Sequence, residues 1–217
     1  MNIKVLIVDD HKIMREGLCK LLKNKSNISV IGEAENGRDA LNMAKAYNPN
    51  VVLMDVLMPD LNGIEATKTI LSHSPDTRII ALSSHGGKEF VTGMLGAGAS
   101  GYLLKDCAFD ELVDAIESVY AKHTYLSREI ADVLVNEYVS KFQSGIQEKR
   151  EDLTSREREV LQLISEGNST REIAKSLFVS IKTVESHRQR LMQKLNLFSI
   201  PELTKYAIKM GLTALEN

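Results

Sequence analysis

Short, β-branched apolar runs alternate with amphipathic stretches through the first half of the chain, and this alternation leaves few folds open. Lys4-Val5-Leu6-Ile7-Val8 runs straight into Asp9-Asp10, and Asn50-Val51-Val52-Leu53-Met54 runs into Asp55. Continuous apolar runs of this length read as strands buried on both faces, the form that a parallel sheet imposes. Strands are predicted near Lys4–Val8, Ser29–Glu35, Val51–Met54, Arg78–Ser83 and Gly101–Leu104. Helices are predicted over about Lys12–Lys23, Gly37–Tyr47, Ile64–His73, Lys88–Leu95 and Phe109–Lys122. Five such units predict an α/β domain whose parallel sheet is covered on both faces. Pro49, Pro59 and Pro75 all fall in the connections, where they break no ladder.

The acids at the strand ends carry the chemistry. In an open α/β sheet the ligand crevice lies beyond the carboxyl ends of the strands, at the topological switch point. Asp9, Asp10 and Asp55 are thereby expected at one rim, where they repel one another unless a cation joins them. A carboxylate can attack phosphorus to give an acyl phosphate. Mg²⁺ takes oxygen ligands and offsets the charge on an incoming phosphoryl group. Asp9 and Asp10 are placed to hold the metal, and Asp55 to attack. The phosphoryl oxygens then need partners, which Ser83 and Lys105, at the ends of the fourth and fifth strands, can supply. Each piece is weak alone, since Asp-Asp after a strand is often a helix cap and a lone Ser or Lys is usually solvated surface. The conjunction on matching strand ends is the signal.

Composition narrows the setting. The 217 residues suffice for two ordinary domains, and 43% hydrophobic with 26% charged residues is a soluble, globular profile. No apolar run approaches the roughly 20 residues that span a bilayer, so no membrane partner is expected. Two cysteines, Cys19 and Cys107, make no disulfide framework and predict a reducing cytoplasm. Cys107 is expected near a helix N-terminus, which can lower a thiol pKa; an inert packed thiol is the favoured reading. Net charge is divided: Arg150 to Asn217 holds 11 basic and 9 acidic residues, the remainder 16 and 20.

After Lys122 the pattern changes. A helix is predicted from a cap at Ser127 to about Phe142, with Ile130, Val133, Leu134 and Tyr138 on one apolar stripe. Residues 143–152 are polar, contain Gly145 and read as a linker. Domains are therefore expected at 1–122 and 153–217, joined by 123–152. The last part is all helical. Thr154 with Glu157, Ser169 with Glu172 and Ser199 with Glu202 are capping-box patterns, and Ser180 is a further N-cap. Gly167 and Gly211 suit helix ends. Ser169–Leu177, a short turn, and Ile181–Leu195 read as a helix-turn-helix, whose second helix enters the major groove. From Ile181 to Asn196 the net charge is +3 (Lys182, Arg188, Arg190 and Lys194 against Glu185). Val184, Leu191 and Leu195 form its inward stripe, and Lys182, Glu185, Ser186, Gln189 and Gln193 lie off it.

The segments Val-Leu-Ile-Val-Asp-Asp, Val-Val-Leu-Met-Asp-Val-Leu-Met-Pro, Ile-Ile-Ala-Leu-Ser-Ser and Gly-Ala-Ser-Gly-Tyr-Leu-Leu-Lys resemble two-component receiver domains over about the first 120 residues. The resemblance implies a flavodoxin-like five-stranded domain in which a sensor histidine kinase phosphorylates Asp55. It further implies that Asp9, Asp10, Asp55 and the Leu57 backbone carbonyl hold Mg²⁺, that Ser83 and Lys105 hold the phosphoryl group, and that Tyr102 is the switch aromatic. Asp106 follows Lys105 where many receivers have Pro, and Asp lacks proline's low cost for a cis bond. The block from Leu153 to Leu197 resembles a LuxR-type helix-turn-helix, as in NarL-family regulators, through Leu-Thr-Ser-Arg-Glu-Arg-Glu-Val-Leu, Glu-Gly-Asn-Ser-Thr-Arg-Glu-Ile-Ala and Ser-Ile-Lys-Thr-Val-Glu-Ser-His-Arg. By this resemblance Lys182, Thr183 and His187 face the DNA backbone, Glu185, Ser186 and Gln189 read bases, and Arg190 belongs to the same surface. Relatives often carry a basic residue at the place of Glu185, which can instead accept from cytosine N4. A homodimer on double-stranded DNA is expected, because one small domain reads few base pairs. The chain is expected to be a regulator rather than an enzyme; haloacid-dehalogenase phosphatases use an Asp-x-Asp pair that Asp55-Val56-Leu57 lacks.

Overall fold

The computed structural model describes residues 2–144 and 153–213. The chain divides into two compact units, Met1–Ser144 and Gly145–Asn217.

The first unit is a parallel sheet of strands β1 (Ile3–Val8), β2 (Ile28–Ala34), β3 (Val51–Met54), β4 (Arg78–Ser83), β5 (Gly101–Leu104) and β6 (Tyr125–Leu126). Helices α1 (Lys12–Leu22), α2 (Gly37–Tyr47), α3 (Gly63–His73), α4 (Lys88–Gly96) and α5 (Phe109–Tyr120) connect them, and α6 (Arg128–Ser144) follows. The order is β2-β1-β3-β4-β5-β6, with every pair parallel. Strand order reverses at β1, so the switch point lies between β1 and β3. Alternating side chains divide the core. Leu6, Val8, Val52, Met54, Ile79, Ala81 and Tyr102 face one way, toward the buried residues of α2, α3 and α4. Val5, Ile7, Val51, Leu53, Ile80, Leu82 and Leu103 face the other way, toward α1 and α5.

The five predicted strands and five helices are present, and a sixth strand joins them. Tyr125 and Leu126 pair with Gly101 and Tyr102. Two residues are too few for period-two alternation to show. Helix α6, predicted within the 123–152 linker, packs on the first unit: Ile130 is buried, and Val133 and Leu134 pack beside it in the α2–α3–α4 core. Two details differ from expectation. Tyr138 is 70% exposed, and Glu137, one residue earlier, takes the inward place and pairs with Lys88 of α4. Ser127 stands at the start of the helix, its carbonyl accepting from Ala131 N–H at 3.0 Å, but its buried hydroxyl has no hydrogen-bond partner. Residues 145–152 of the expected linker lie outside the described residues.

The second unit contains α7 (Ser155–Ser165), α8 (Thr170–Ser176), α9 (Ile181–Leu195) and α10 (Ile200–Lys209) around a core that includes Val160, Leu163, Ile173, Val184, Leu191 and Leu203. All three predicted capping boxes form, and Ser180 accepts from Thr183 N–H as the cap of α9. Each of the four helices ends in one turn type. The residue after the last turn takes positive φ, while it and its successor donate back to the final carbonyls. Gly167 (φ 85°), Phe178 (φ 53°), Asn196 (φ 53°) and Gly211 (φ 67°) hold that left-handed place. The back-bonds are Gly167 and Asn168 to Ile164 and Leu163, Phe178 and Val179 to Lys175 and Ala174, Asn196 and Leu197 to Gln193 and Met192, and Gly211 and Leu212 to Ile208 and Ala207.

Candidate functional site

Strand ends set the geometry of the first unit. Asp9 follows β1 and Asp55 follows β3, and the ladder continues past both, with Asp55 N–H donating to the Val8 carbonyl at 2.8 Å. The two carboxylates are thereby held side by side and buried, Asp9 2% and Asp55 4% exposed. Lys105, just beyond β5, reaches across: its Nζ lies 2.7 Å from Asp9 Oδ2 and 2.7 Å from Asp55 Oδ2. The second Asp55 oxygen accepts from Val56 N–H at 2.7 Å. Asp10 is exposed at the same rim. Gly63 closes the floor. A Cβ there would lie 2.0 Å from the Asp55 backbone carbonyl oxygen, so no other residue fits without moving β3 or α3.

Asp9, Asp10, His11 and Asp55 each place a ligand atom within 4.8 Å of the others. His11 is an addition to the predicted set. Its Nδ1 is 2.9 Å from Asp10 Oδ1 and 3.2 Å from Asp9 Oδ1, and its backbone N–H donates to Asp9 Oδ1 at 2.8 Å. Direct adjacency to Asp9-Asp10 was the only signal for it. Leu57 lies two residues past Asp55 in the β3–α3 connection and is partly exposed.

Charge in this cluster is unbalanced. Burial, first of all, pushes Asp55 up to about 6, with Asp9 and Asp10 adding to it and Lys105 opposing it. Burial also works against the ammonium of Lys105, but Asp55 and Asp9 outweigh it and hold that group above the ordinary lysine range. Lys105 bridges Asp9 and Asp55 with one ammonium, and Asp10 meets the His11 ring instead. Excess negative charge at hard oxygen donors is the chemistry that a divalent cation satisfies.

Ser83 is fully buried at the end of β4, and its Oγ accepts from His85 N–H at 3.1 Å. Tyr102 is also fully buried, and its hydroxyl donates to the His85 carbonyl at 2.5 Å. Burial pushes the Tyr102 hydroxyl up to about 12, against an opposing hydrogen bond from Ser83. Ser83, His85 and Tyr102 therefore form one polar cluster. None of the described peptide bonds is cis. Burial pushes both thiols above the ordinary cysteine range, Cys19 up to about 12 and Cys107 up to about 11.

In the second unit, α9 turns Val184 and Leu191 inward, with Leu195 packed beside them. Lys182, Glu185, Ser186, Gln189 and Arg190 are exposed, and Thr183 and His187 are partly exposed. The predicted contact residues thus share the outer side of one helix. Lys194 does not: its Nζ lies 3.2 Å from Glu157 Oε2 of α7. Burial would raise Glu157, but the Thr154 backbone N–H and Lys194 prevail and hold it below the usual carboxylate range. One of the four cations counted along this helix therefore belongs to the domain's interior framework.

The family description "Response regulator receiver domain" matches residues 5–117, and "Bacterial regulatory proteins, luxR family" matches residues 151–207. The transcriptional regulatory protein DegU of Brevibacillus brevis is 36% identical, covering 97% of this chain and 94% of DegU. The oxygen regulatory protein NreC of Staphylococcus carnosus is 38% identical, covering 96% and 98%. Among solved structures, RcsB of Salmonella enterica serovar Typhimurium, bound to promoter rprA in the presence of the phosphomimetic BeF3⁻, is similar at 30% identity and a TM-score of 0.62, covering 95% of this chain and 98% of that one. No helix among the described residues is long and apolar enough to cross a membrane. An acidic, lysine-bridged sheet rim in one unit and a capped helix-turn-helix in the other are the two halves of a single regulator, and the chain belongs to the NarL/LuxR family of response regulators, DNA-binding transcription regulators that join a receiver to a LuxR-type helix-turn-helix domain.

Proposed function

We propose that Asp55 accepts a phosphoryl group from a phosphohistidine of a sensor histidine kinase, and that this event governs dimerisation and DNA binding in the cytoplasm. The carrying observation is the Asp9–Lys105–Asp55 bridge, with both arms 2.7 Å long, beside a fourfold cluster of ligand atoms within 4.8 Å. Asp55 attacks phosphorus through a carboxylate oxygen. A P–O bond forms while the P–N bond of the donor breaks, and the imidazole nitrogen leaves with the electron pair. Asp9, Asp10 and Asp55, with the Leu57 carbonyl, are the residues that would hold Mg²⁺, and His11 stands beside them. When bound, the ion supplies charge neutralisation for the phosphoryl oxygens. Lys105 is already in reach of Asp55 and would pair with a second phosphoryl oxygen. Ser83 would donate its hydroxyl to a third.

The same hydroxyl supports the coupling. The new group carries about −1.5 to −2 charges in place of the single charge of the Asp55 carboxylate, so the rim gains up to about one negative charge and three acceptor oxygens. It competes with Tyr102 for the Ser83 proton, and Tyr102 holds the His85 carbonyl at the start of the β4–α4 connection. Since the Tyr102 ring is already inside, the proposed signal travels through its hydroxyl rather than through burial of the ring. In the second unit, Lys182, Thr183, His187 and Arg190 would contact phosphates and Glu185, Ser186 and Gln189 bases, with two copies on paired half-sites. The RcsB structures, one of which holds two RcsB dimers on two parallel DNAs, support this reading by likeness.

Incubation with acetyl phosphate and Mg²⁺, followed by intact-mass measurement, should add one phosphoryl group to wild type and none to Asp55→Asn. Equal labelling of the two proteins overturns the site.

A further inference from the structure

In the second unit, three of the four left-handed helix ends are held by Gly167, Asn196 and Gly211, residues that tolerate positive φ. The fourth is held by Phe178, at φ 53°. A bulky aromatic there is strained. Packing does not explain it, because Phe178 is 90% exposed, the most exposed of the large apolar residues in the described chain. Both costs fall at one place, the turn between α8 and α9. Two residues on, Ser180 caps α9, and Ile181, the first residue of α9, is itself 44% exposed. A strained, solvated aromatic three residues before a solvated isoleucine adds neither side chain to the core of the domain.

The start of the second helix of a helix-turn-helix is the part that meets the major groove. Phe178 and Ile181 therefore lie where the protein enters DNA, beside exposed Lys182. Apolar side chains in that groove recognise the thymine C5-methyl group, and Phe is among those that do so. We propose that Phe178, with Ile181 at its side, is a specificity-determining contact: an apolar wedge that packs on a thymine methyl and the adjoining deoxyribose at the edge of each half-site. This inference rests on the DNA-binding reading above. It differs from that reading in kind, because the contact carries no charge. It adds affinity without counterion release, so it leaves the salt dependence of binding unchanged.

The test uses the full chain and duplexes that wild type selects from random sequence. Phe178→Gly and Phe178→Asn suit the left-handed backbone, so each should melt no lower than wild type. Each should bind the selected duplexes about tenfold more weakly, with the slope of log affinity against log salt unchanged. Their own selections should lose a thymine preference at one position per half-site. Lys182→Ala serves as the control and should reduce that slope by about one. If Lys182→Ala weakens binding while both Phe178 variants bind within twofold of wild type, the wedge is wrong and the DNA reading stands. If wild type selects no sequence and Lys182→Ala changes nothing, the DNA reading itself falls. If both Phe178 variants melt well below wild type, the aromatic is a structural anchor and the proposal is overturned.

Discussion

Asp55 is held in a state it resists. Its carboxyl is pushed up to about 6 by burial, yet the proposed attack on phosphorus needs it ionised. A raised carboxyl binds its proton more tightly in the folded chain. Its contribution therefore favours folding at low pH and is lost as pH rises through about 6. In metal-free buffer at pH 7, Asp55→Asn should accordingly be more stable than wild type by about 1–3 kcal/mol. The difference should vanish below about pH 4, where wild type is protonated in both states. Urea titrations at the two pH values check this. Labelling by acetyl phosphate should slow in parallel as pH falls through about 6. Lys105 is the counterpart. Lys105→Ala leaves two buried carboxylates without their ammonium and should lose about 3 kcal/mol in chelator. Added Mg²⁺ should raise its melting temperature more than it raises that of wild type, since bound ligand stabilises the folded state by mass action. Asp9, Asp55, Ser83 and Lys105 were legible in the sequence because a parallel strand fixes where the residue at or just past its end goes. His11 was less legible, because it joins the cluster through a local turn. The hydroxyl contacts of Tyr102 depend on how two connections approach each other, and no spacing rule encodes that.

At the scale of elements, the capping boxes were the most readable feature of the second unit, since each is a local exchange of hydrogen bonds within four residues. The Thr154–Glu157 box has a longer reach, because Glu157 also receives Lys194 from the far end of α9. Thr154→Ala should therefore cost about 1–2 kcal/mol, at the upper end for a cap, in thermal melts of the chain. It should do so while leaving Asp55 labelling intact. The sequence pattern of helix α6 sets its extent but not its inward face. Its pattern admits either Tyr138 or Glu137 at the inward position, and Lys88 decides for the acid. A charge on α4 cannot be matched to its partner from periodicity alone. Strand β6 escaped for the opposite reason: its two residues gain strand character only from the free edge of β5.

At the scale of the whole molecule, a change of pattern along the chain is not the same thing as a boundary. The alternation of strand and helix ends near Lys122, yet β6 and α6 complete the first unit and carry it to Ser144. A protein cut after residue 122 would keep every proposed phosphorylation residue and still be the wrong piece. It would leave the backbone of Gly101 and Tyr102 as a bare sheet border and strip Ile130 from its seat in the apolar core. Unpaired borders of this kind invite other chains to add on. Fragment 1–122 should therefore unfold at lower temperature than fragment 1–144 and self-associate at concentrations where the longer piece is monodisperse by light scattering. Whoever excises this sensor half for crystals, for spectroscopy or for grafting onto another output should place the scissors beyond the sixth helix.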